Sequence, residues 1–407
     1  MASINTNLTN IAGALKNNYN EGSDVLMKQQ NLQAPMWNKW SKSALKPSAN
    51  GIFNAVVMQG NESGGAINEE EAFQNPASIN PQQPFVSSKT VVWPFQITGK
   101  AIRLSETDKV AFAKALDMQQ QDNLGRMMSD LNRQSWGTGT GQMDTAVGAA
   151  TSTSLVVNNP FIFRIGMLIQ SFASLGGAME IGVAGDCTVT NINYSTSTLT
   201  ISPVQTWSNA SIIGKKNVLV GVTSMSNAKE LTGWRAICDT TTFSSTFEGV
   251  SVSTFPQWQG NVIDASTAPV SQDLLQRTHN RAAMIGGVTP DTLVSNYGQA
   301  RTFLNTELQK TRYVPETVEG GNVVLKWGAL EWLVDWTYNI GEVGMMVKGQ
   351  IEKFQTNDVR LSDLPGQTLY QVVGRDAIAG YYIYEGNLGS WKRNSQSRLI
   401  GLTEPTF

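Results

Sequence analysis

"SETDKVAFAKALDMQQQDNLGRMMSDLNRQSWGTGTG" occupies residues 105–141, and its reading governs how the rest of the chain is read. Ser105 is a good helix N-cap, and Asp108 three residues later resembles the second half of a capping box. Phe112, Leu116, Leu124, Met127, Met128 and Leu131 recur at helical spacing. Gly137 supplies the stop. The spacing predicts one helix over 105–136, roughly 45 Å long at about 1.5 Å per residue. Such a length suits a structural strut better than a compact enzyme core.

Upstream, "GIFNAVVMQG" (51–60) alternates well enough for a strand. "EEEAFQNPASINPQQP" (69–84) then carries three glutamates, prolines at Pro76, Pro81 and Pro84, and one aromatic, Phe73. Almost nothing in it can fill a core. "KTVVWPFQITGKAIRLS" (89–105) is rich in β-branched and aromatic residues and predicts the returning strand. Pro94 restricts that strand to a sheet edge or a bulge. Residues 51–104 thus predict one long two-stranded flap with a loose tip. An isolated hairpin is marginal in water, so something outside it must hold it. Residues 1–50 read as an arm with a short helix. The arm holds five lysines (Lys16, Lys28, Lys39, Lys42, Lys46) against Glu21 and Asp24, and two exposed-looking tryptophans, Trp37 and Trp40.

Downstream, 147–222 changes texture. "SLVV", "GMLIQSF", "AMEIGV", "CTVTNINYSTSTLTIS" and "NVLVGV" are short β-like runs separated by Gly, Asn and Ser, which predicts a small all-β module. From 272 helices return, in "SQDLLQRTHNRAAMIGG" and in "TPDTLVSNYGQARTFLNTELQKTR", where Thr289-Pro290 reads as a helix start. "NVVLKWGALEWLVDWTYNI", "EVGMMVKG" and the tail to "SWKRNSQSRLIGLT" read as strands. The fold class is mixed α+β with a β insertion.

The chain has 407 residues, 41% hydrophobic and only 15% charged, against about 25% charged in average chains. A surface poor in charge is weakly protected against self-association, which favours a protein that meets other subunits. A net charge of -2 argues against dedicated nucleic-acid binding. The wall of a nucleic-acid container is a different case, because it should not grip the polymer. Two cysteines, Cys187 and Cys238, make no disulfide framework and predict a reducing compartment. The start "MASINTNLTN" has neither a basic nor an apolar run, so no signal peptide is expected.

Catalytic, cofactor and metal chemistry is not expected. His279, the single histidine, lacks a Gly-x-Ser-x-Gly elbow and fits a solvated helix face. "GTGTG" (137–141) follows a helix and lacks the P-loop lysine, so it reads as a flexible exit. The two cysteines have no zinc-ligand spacing, and Glu69, Glu70 and Glu71 lack the alternation of a calcium loop. Lys392, Arg393 and Arg398 read as surface charge.

Order and texture together carry a resemblance. "IRLSETDKVAF…LGRMMSDLNRQSWGTGTGQ" resembles a strand-to-spine-helix junction with a Gly-rich end, and "ELTGWRAICDTTTF" a segment returning to it. "LLQRTHNRAAMIGGVTPDTLVSNYGQARTFLNTEL" and "SWKRNSQSRLIGL" resemble a helical domain and a closing strand. Across residues 50–405 the chain resembles tailed-bacteriophage major capsid proteins with the Hong-Kong-97-type fold.

The resemblance implies an N-terminal arm (1–50), an extended β-hairpin loop (51–104) and the spine helix of a peripheral domain (105–146). An inserted β domain (147–222), more peripheral domain (223–271), an axial domain (272–370) and a return to the peripheral domain (371–407) follow. It implies a non-enzymatic shell subunit. Hexamers and pentamers would enclose double-stranded DNA in a virion assembled in host cytoplasm. The implied partners are further copies of the chain, a portal and, where present, a decoration protein; no membrane and no cofactor are implied. Many relatives carry a large N-terminal scaffolding segment, and the roughly 50 residues before the flap are too few for one, so a separate scaffolding protein, or none, is expected. The inter-subunit contacts it implies are Trp37, Trp40, Glu69, Glu70, Glu71, Phe73, Phe85, Trp93, Phe95 and Arg103. An encapsulin-like cellular nanocompartment is the alternative within the same fold.

Overall fold

The computed structural model describes residues 31–48, 50–72, 74–100, 109–174, 177, 179–182, 185–216, 229–240, 246–306, 325–363 and 366–404, with side chains in the long helix from 119 onward. Among the described residues the α-helices are α1 (Lys109–Trp136), α2 (Trp234–Ile237), α3 (Gln272–Gly286) and α4 (Tyr297–Thr306). The expected cap at Ser105 and Asp108 lies outside the described residues. The chain divides into two compact units, one built from 1–39, 89–133 and 355–386, the other from 40–88, 134–354 and 387–407.

In the first unit, Lys89–Thr98 pairs antiparallel with Ala377–Gly389, from Lys89 opposite Gly386 to Thr98 opposite Ala377. Ala377–Gly389 is its one partner among the described strands, so it is an edge. That is where Pro94, with no N–H to donate, can stand. This corrects the flap expectation, because Lys89–Thr98 does not return along Gly51–Gly60. Most of α1 belongs to this unit. Its amphipathic pattern fades toward the C-terminus, where residues 129–133 are all buried. Such a stretch needs polar satisfaction. Asp130 and Arg133 form an ion pair at 3.1 Å, and Asn132 Oδ1 accepts from the N–H groups of Met36 and Trp37 at 3.0 and 2.9 Å. Leu124, expected on the core face, is 37% exposed.

The second unit contains two six-stranded sheets. One is mixed, in the order Asn261–Asp264, Ser397–Ile400, Val343–Met346, Thr292–Ser295, Leu330–Val334, Lys326–Trp327. Its core includes Leu293, Met345, Leu399, Trp332, Leu275 and Phe303. Thr292–Ser295 is buried at every position, as a strand with neighbours on both sides requires. "TPDTLVSNYGQARTFL" therefore starts as a strand and becomes helical only at Tyr297, a correction to the expected helix start at Pro290. In α3, Leu275, Thr278, Ala282 and Gly286 form the buried face. Ser271 caps it by accepting from the Leu274 N–H, and Gly287 ends it at φ 62°.

The other sheet is antiparallel throughout, in the order Gln142–Thr145, Ile212–Lys215, Leu168–Phe172, Cys187–Asn193, Thr198–Trp207, Ala150–Val156. It has its own core, which includes Leu155, Phe163, Ile169, Val189, Leu199 and Trp207. "VTNINYSTSTLTI" is a hairpin closing at Asn193 opposite Thr198.

Two further expectations change in this unit. The "GTGTG" stretch is no flexible exit, since Thr138 and Thr140 are buried and their hydroxyls bond to each other at 2.6 Å. Gly233 packs so closely there that a Cβ would lie 2.4 Å from the Gln134 carbonyl oxygen. Arg393 and Arg398 are not surface charges, being 1% and 3% exposed. Arg398 pairs with Asp239 at 3.1 Å and lies in charge contact with Glu342 at 3.5 Å.

Candidate inter-subunit surface

The hairpin is shorter and differently paired than its sequence predicts. Gly51–Phe53 pairs with Phe85–Ser87, and Val56–Gln59 with Asn80–Gln82. Its return strand is therefore the Pro-rich "NPQQPFVS" (80–87). A ribbon with a single partner strand tolerates Pro81 because the missing donor faces solvent. Gly51 is obligatory at the root, where φ is 151° and a Cβ would sit 2.3 Å from the Val86 carbonyl oxygen.

Alternation along the strand splits the root from the outer face. Ile52 and Val86 point inward and pack on Phe354, with Trp391 alongside. Asn387 Nδ2 donates to the Ser87 carbonyl at 2.8 Å. The Phe85 N–H donates to the Glu248 carbonyl at 2.8 Å, and the Ser88 N–H to the Asn50 carbonyl at 3.0 Å. The root is thus held by the subunit's own second unit. Beyond it, little is held. Phe53 is 63% exposed, Val57 58%, Ile79 59% and Ile67 43%. The Phe53 and Phe85 rings lie 4.4 Å apart, so the half-buried Phe85 props Phe53 outward. The described residues of 60–79 form no regular pairing, and Glu69, Glu70 and Glu71 are all exposed. Local bonds shape the loop: Glu71 accepts from the Asn68 N–H at 2.9 Å, and Glu70 adopts φ 68°.

The tryptophans of the arm are a correction. Trp37 and Trp40 are 2% and 3% exposed within their own chain. In the first unit Trp37 meets the Tyr384 ring edge-on at 5.1 Å. In the second, Trp40 meets Trp136 at 5.6 Å, and Trp136 meets Tyr338 at 5.0 Å while donating to Asp335 at 2.8 Å. Large aromatics next to lysines on a short arm read as exposed, but each indole buries more apolar area than its neighbours can shed. Phe95 is buried against Tyr382, and Trp93 is half-buried. Phe73 and Arg103 lie outside the described residues. Phe53, Val57 and Ile79 were missed, although the period-two pattern of "GIFNAVVMQG" already sets Phe53 opposite Ile52.

No protein-family model and no curated protein matches the chain. Solved structures do. A cyanophage A-1(L) capsid asymmetric unit is similar at 12% identity and TM-score 0.59, over 95% of this chain and 97% of that one. The capsid of an empty GTA particle is similar at 9% identity and TM-score 0.53, over 93% and 94%. The capsid of a native GTA particle is similar at 9% identity and TM-score 0.52, over 98% and 99%. Over 93–98% of its length the chain shares an α+β fold with these capsid structures.

Proposed function

We propose that this protein is a major capsid protein. Copies assemble as hexamers and pentamers into an icosahedral shell around phage double-stranded DNA. What carries this reading is the likeness to a capsid subunit over nearly the full length of both chains. The hairpin supports it independently: its root is anchored, while its outer half exposes apolar side chains its own subunit leaves uncovered. In this reading residues 51–104 begin with the extended loop that lies over a neighbour, and α1 is the spine of a peripheral domain. The mixed sheet with α3 and α4 belongs to an axial domain, which then takes in Asn261–Asp264 and Ser397–Ile400 beyond the expected 272–370; the antiparallel sheet of 142–215 is the inserted β domain expected over 147–222, of which 217–222 lies outside the described residues. The contact surface is Phe53, Val57, Ile79, Phe85 and the acidic run Glu69–Glu71. The net charge of -2 suits a wall that encloses DNA without gripping it. A scaffolding protein and a portal are the expected assembly partners.

Negative-stain microscopy of the purified protein tests the reading. Closed shells of uniform diameter are expected, and a population of monomers under all assembly conditions overturns it. Shells loaded with an enzyme cargo instead of DNA turn it toward a cellular nanocompartment.

A further inference from the structure

Glu248 stands in a turn that suits it poorly. Thr246–Phe247 and Val250–Ser251 form a two-residue hairpin in which both central residues, Glu248 (φ 52°) and Gly249 (φ 85°), have positive φ. Such turns favour Asn-Gly or Asp-Gly, and a glutamate there costs backbone strain without gaining a local bond. The turn's backbone is partly open to solvent, yet both carboxylate oxygens are sealed from water and find no hydrogen-bond donor among the described residues. The charge acting on the carboxyl is Arg393. Arg393 is already spent. Its guanidinium donates to the carbonyls of Ile237 at 2.9 Å, Trp258 at 2.6 Å, and Ala236 and Asp239 at 3.2 Å each, and it lies 3.8 Å over the Phe247 ring. Cys238 and Asp239 bear on Arg393 from the end of α2. Arg398 and Glu342 lie one step beyond, through Asp239. The hairpin root contributes no charge here, but its Phe85 N–H is bonded to the Glu248 carbonyl.

We propose that Glu248 is a protonation-controlled latch at the root of the extended hairpin, fastening it when neutral and loosening it when ionised. An ionised carboxylate in this position has two ways to find donors. It can draw Arg393 off its carbonyls, or it can swing out to water. Either rotates the Glu248–Gly249 turn and displaces the carbonyl on which Phe85 hangs. Burial pushes the carboxyl up to about 8, against the pull of Arg393, so the latch is closed at neutral pH and opens in mild alkali. As regulation of the hairpin this rests on the shell reading, but the latch itself is a property of the single subunit.

Hydrogen exchange on the unassembled full chain tests it, with the Thr292–Ser295 strand as the internal control for base catalysis. Between pH 7 and pH 9 the peptide covering Phe85–Ser87 is expected to speed up about tenfold more than the control strand does, the loss of latched population one unit above the titration midpoint. Glu248→Gln is expected to follow the control strand throughout. If it does not fold, Glu248→Asn, neutral and suited to the turn, should give the same flat profile. A wild-type root that follows the control strand to pH 9.5, or an equal excess in the neutral variant, overturns the proposal. Absence of shells sinks the capsid reading without touching this measurement, and a flat profile in a protein that forms shells sinks only the latch.

Discussion

Replacing residues 60–79 with a short Gly-Ser turn separates what the hairpin does for its own subunit from what it does for a neighbour. The segment contributes almost nothing to the core. Among its described residues the large apolar side chains, Ile67 and Ile79, are 43% and 59% exposed, and none is buried. Shortening a loop of this length to about five residues is two halvings, worth about 1 kcal/mol of closure entropy in favour of the folded chain. The subunit should therefore melt within about 3 °C of the parent, slightly upward. Val86→Ala is the contrasting change. Val86 is 2% exposed against Ile52 and Phe354, so losing its methyls should cost about 2 kcal/mol and lower the melting temperature. Differential scanning calorimetry and microscopy are read on the same samples. The loop replacement should leave a folded subunit that forms no closed shells or fragile ones. A replacement that unfolds the subunit shows that the tip belongs to its core. Robust shells from it show that the tip does not clamp neighbours. Either result refutes the reasoning.

Three further outcomes are expected. Reversing Glu69, Glu70 and Glu71 to lysine should slow assembly and change its salt dependence while leaving unfolding unaltered; exposed pairs are worth only about 0–1 kcal/mol each, but symmetry repeats them, and identical assembly across a salt series removes the idea. Arg393→Lys should destabilise by roughly 3 kcal/mol despite keeping the charge, because one ammonium cannot reach the four carbonyls the guanidinium serves; denaturant titration with a loss below about 1 kcal/mol counts against that network. Glu248 has a folded-state pKa of about 8 above its ordinary 4.5, so the folded chain holds that proton more tightly and stability declines as pH rises through that window, by a few kcal/mol in total. Glu248→Gln should remove that share of the slope in thermal unfolding measured from pH 5 to 9, and an unchanged slope assigns it to other groups.

Local pattern and tertiary context divide this protein unevenly. The long helix and its stop at Gly137 were legible because each is written in residues within a few positions of one another. Pro94 likewise announced an edge strand, since a missing N–H has the same consequence wherever the strand ends up. Partner choice was not legible. Lys89–Thr98 has the texture of a hairpin arm, but its ladder runs to Ala377–Gly389, and the arm of Gly51–Phe53 is the less β-like Phe85–Ser87. Pairing is decided by which apolar faces can be buried together, and Val86 against Phe354 is a contact no window of sequence contains. The same holds for burial of polar and aromatic groups. Trp37, Trp40, Arg393 and Arg398 sit among lysines, serines and asparagines, a local texture of surface, and only distant partners such as Tyr384, Trp136 and Asp239 draw them inside. The exposed face of the hairpin followed from alternation once its register was known. The sealed carboxyl of Glu248 did not, because desolvation is a property of everything packed around a group and of nothing in the group's own neighbourhood along the chain.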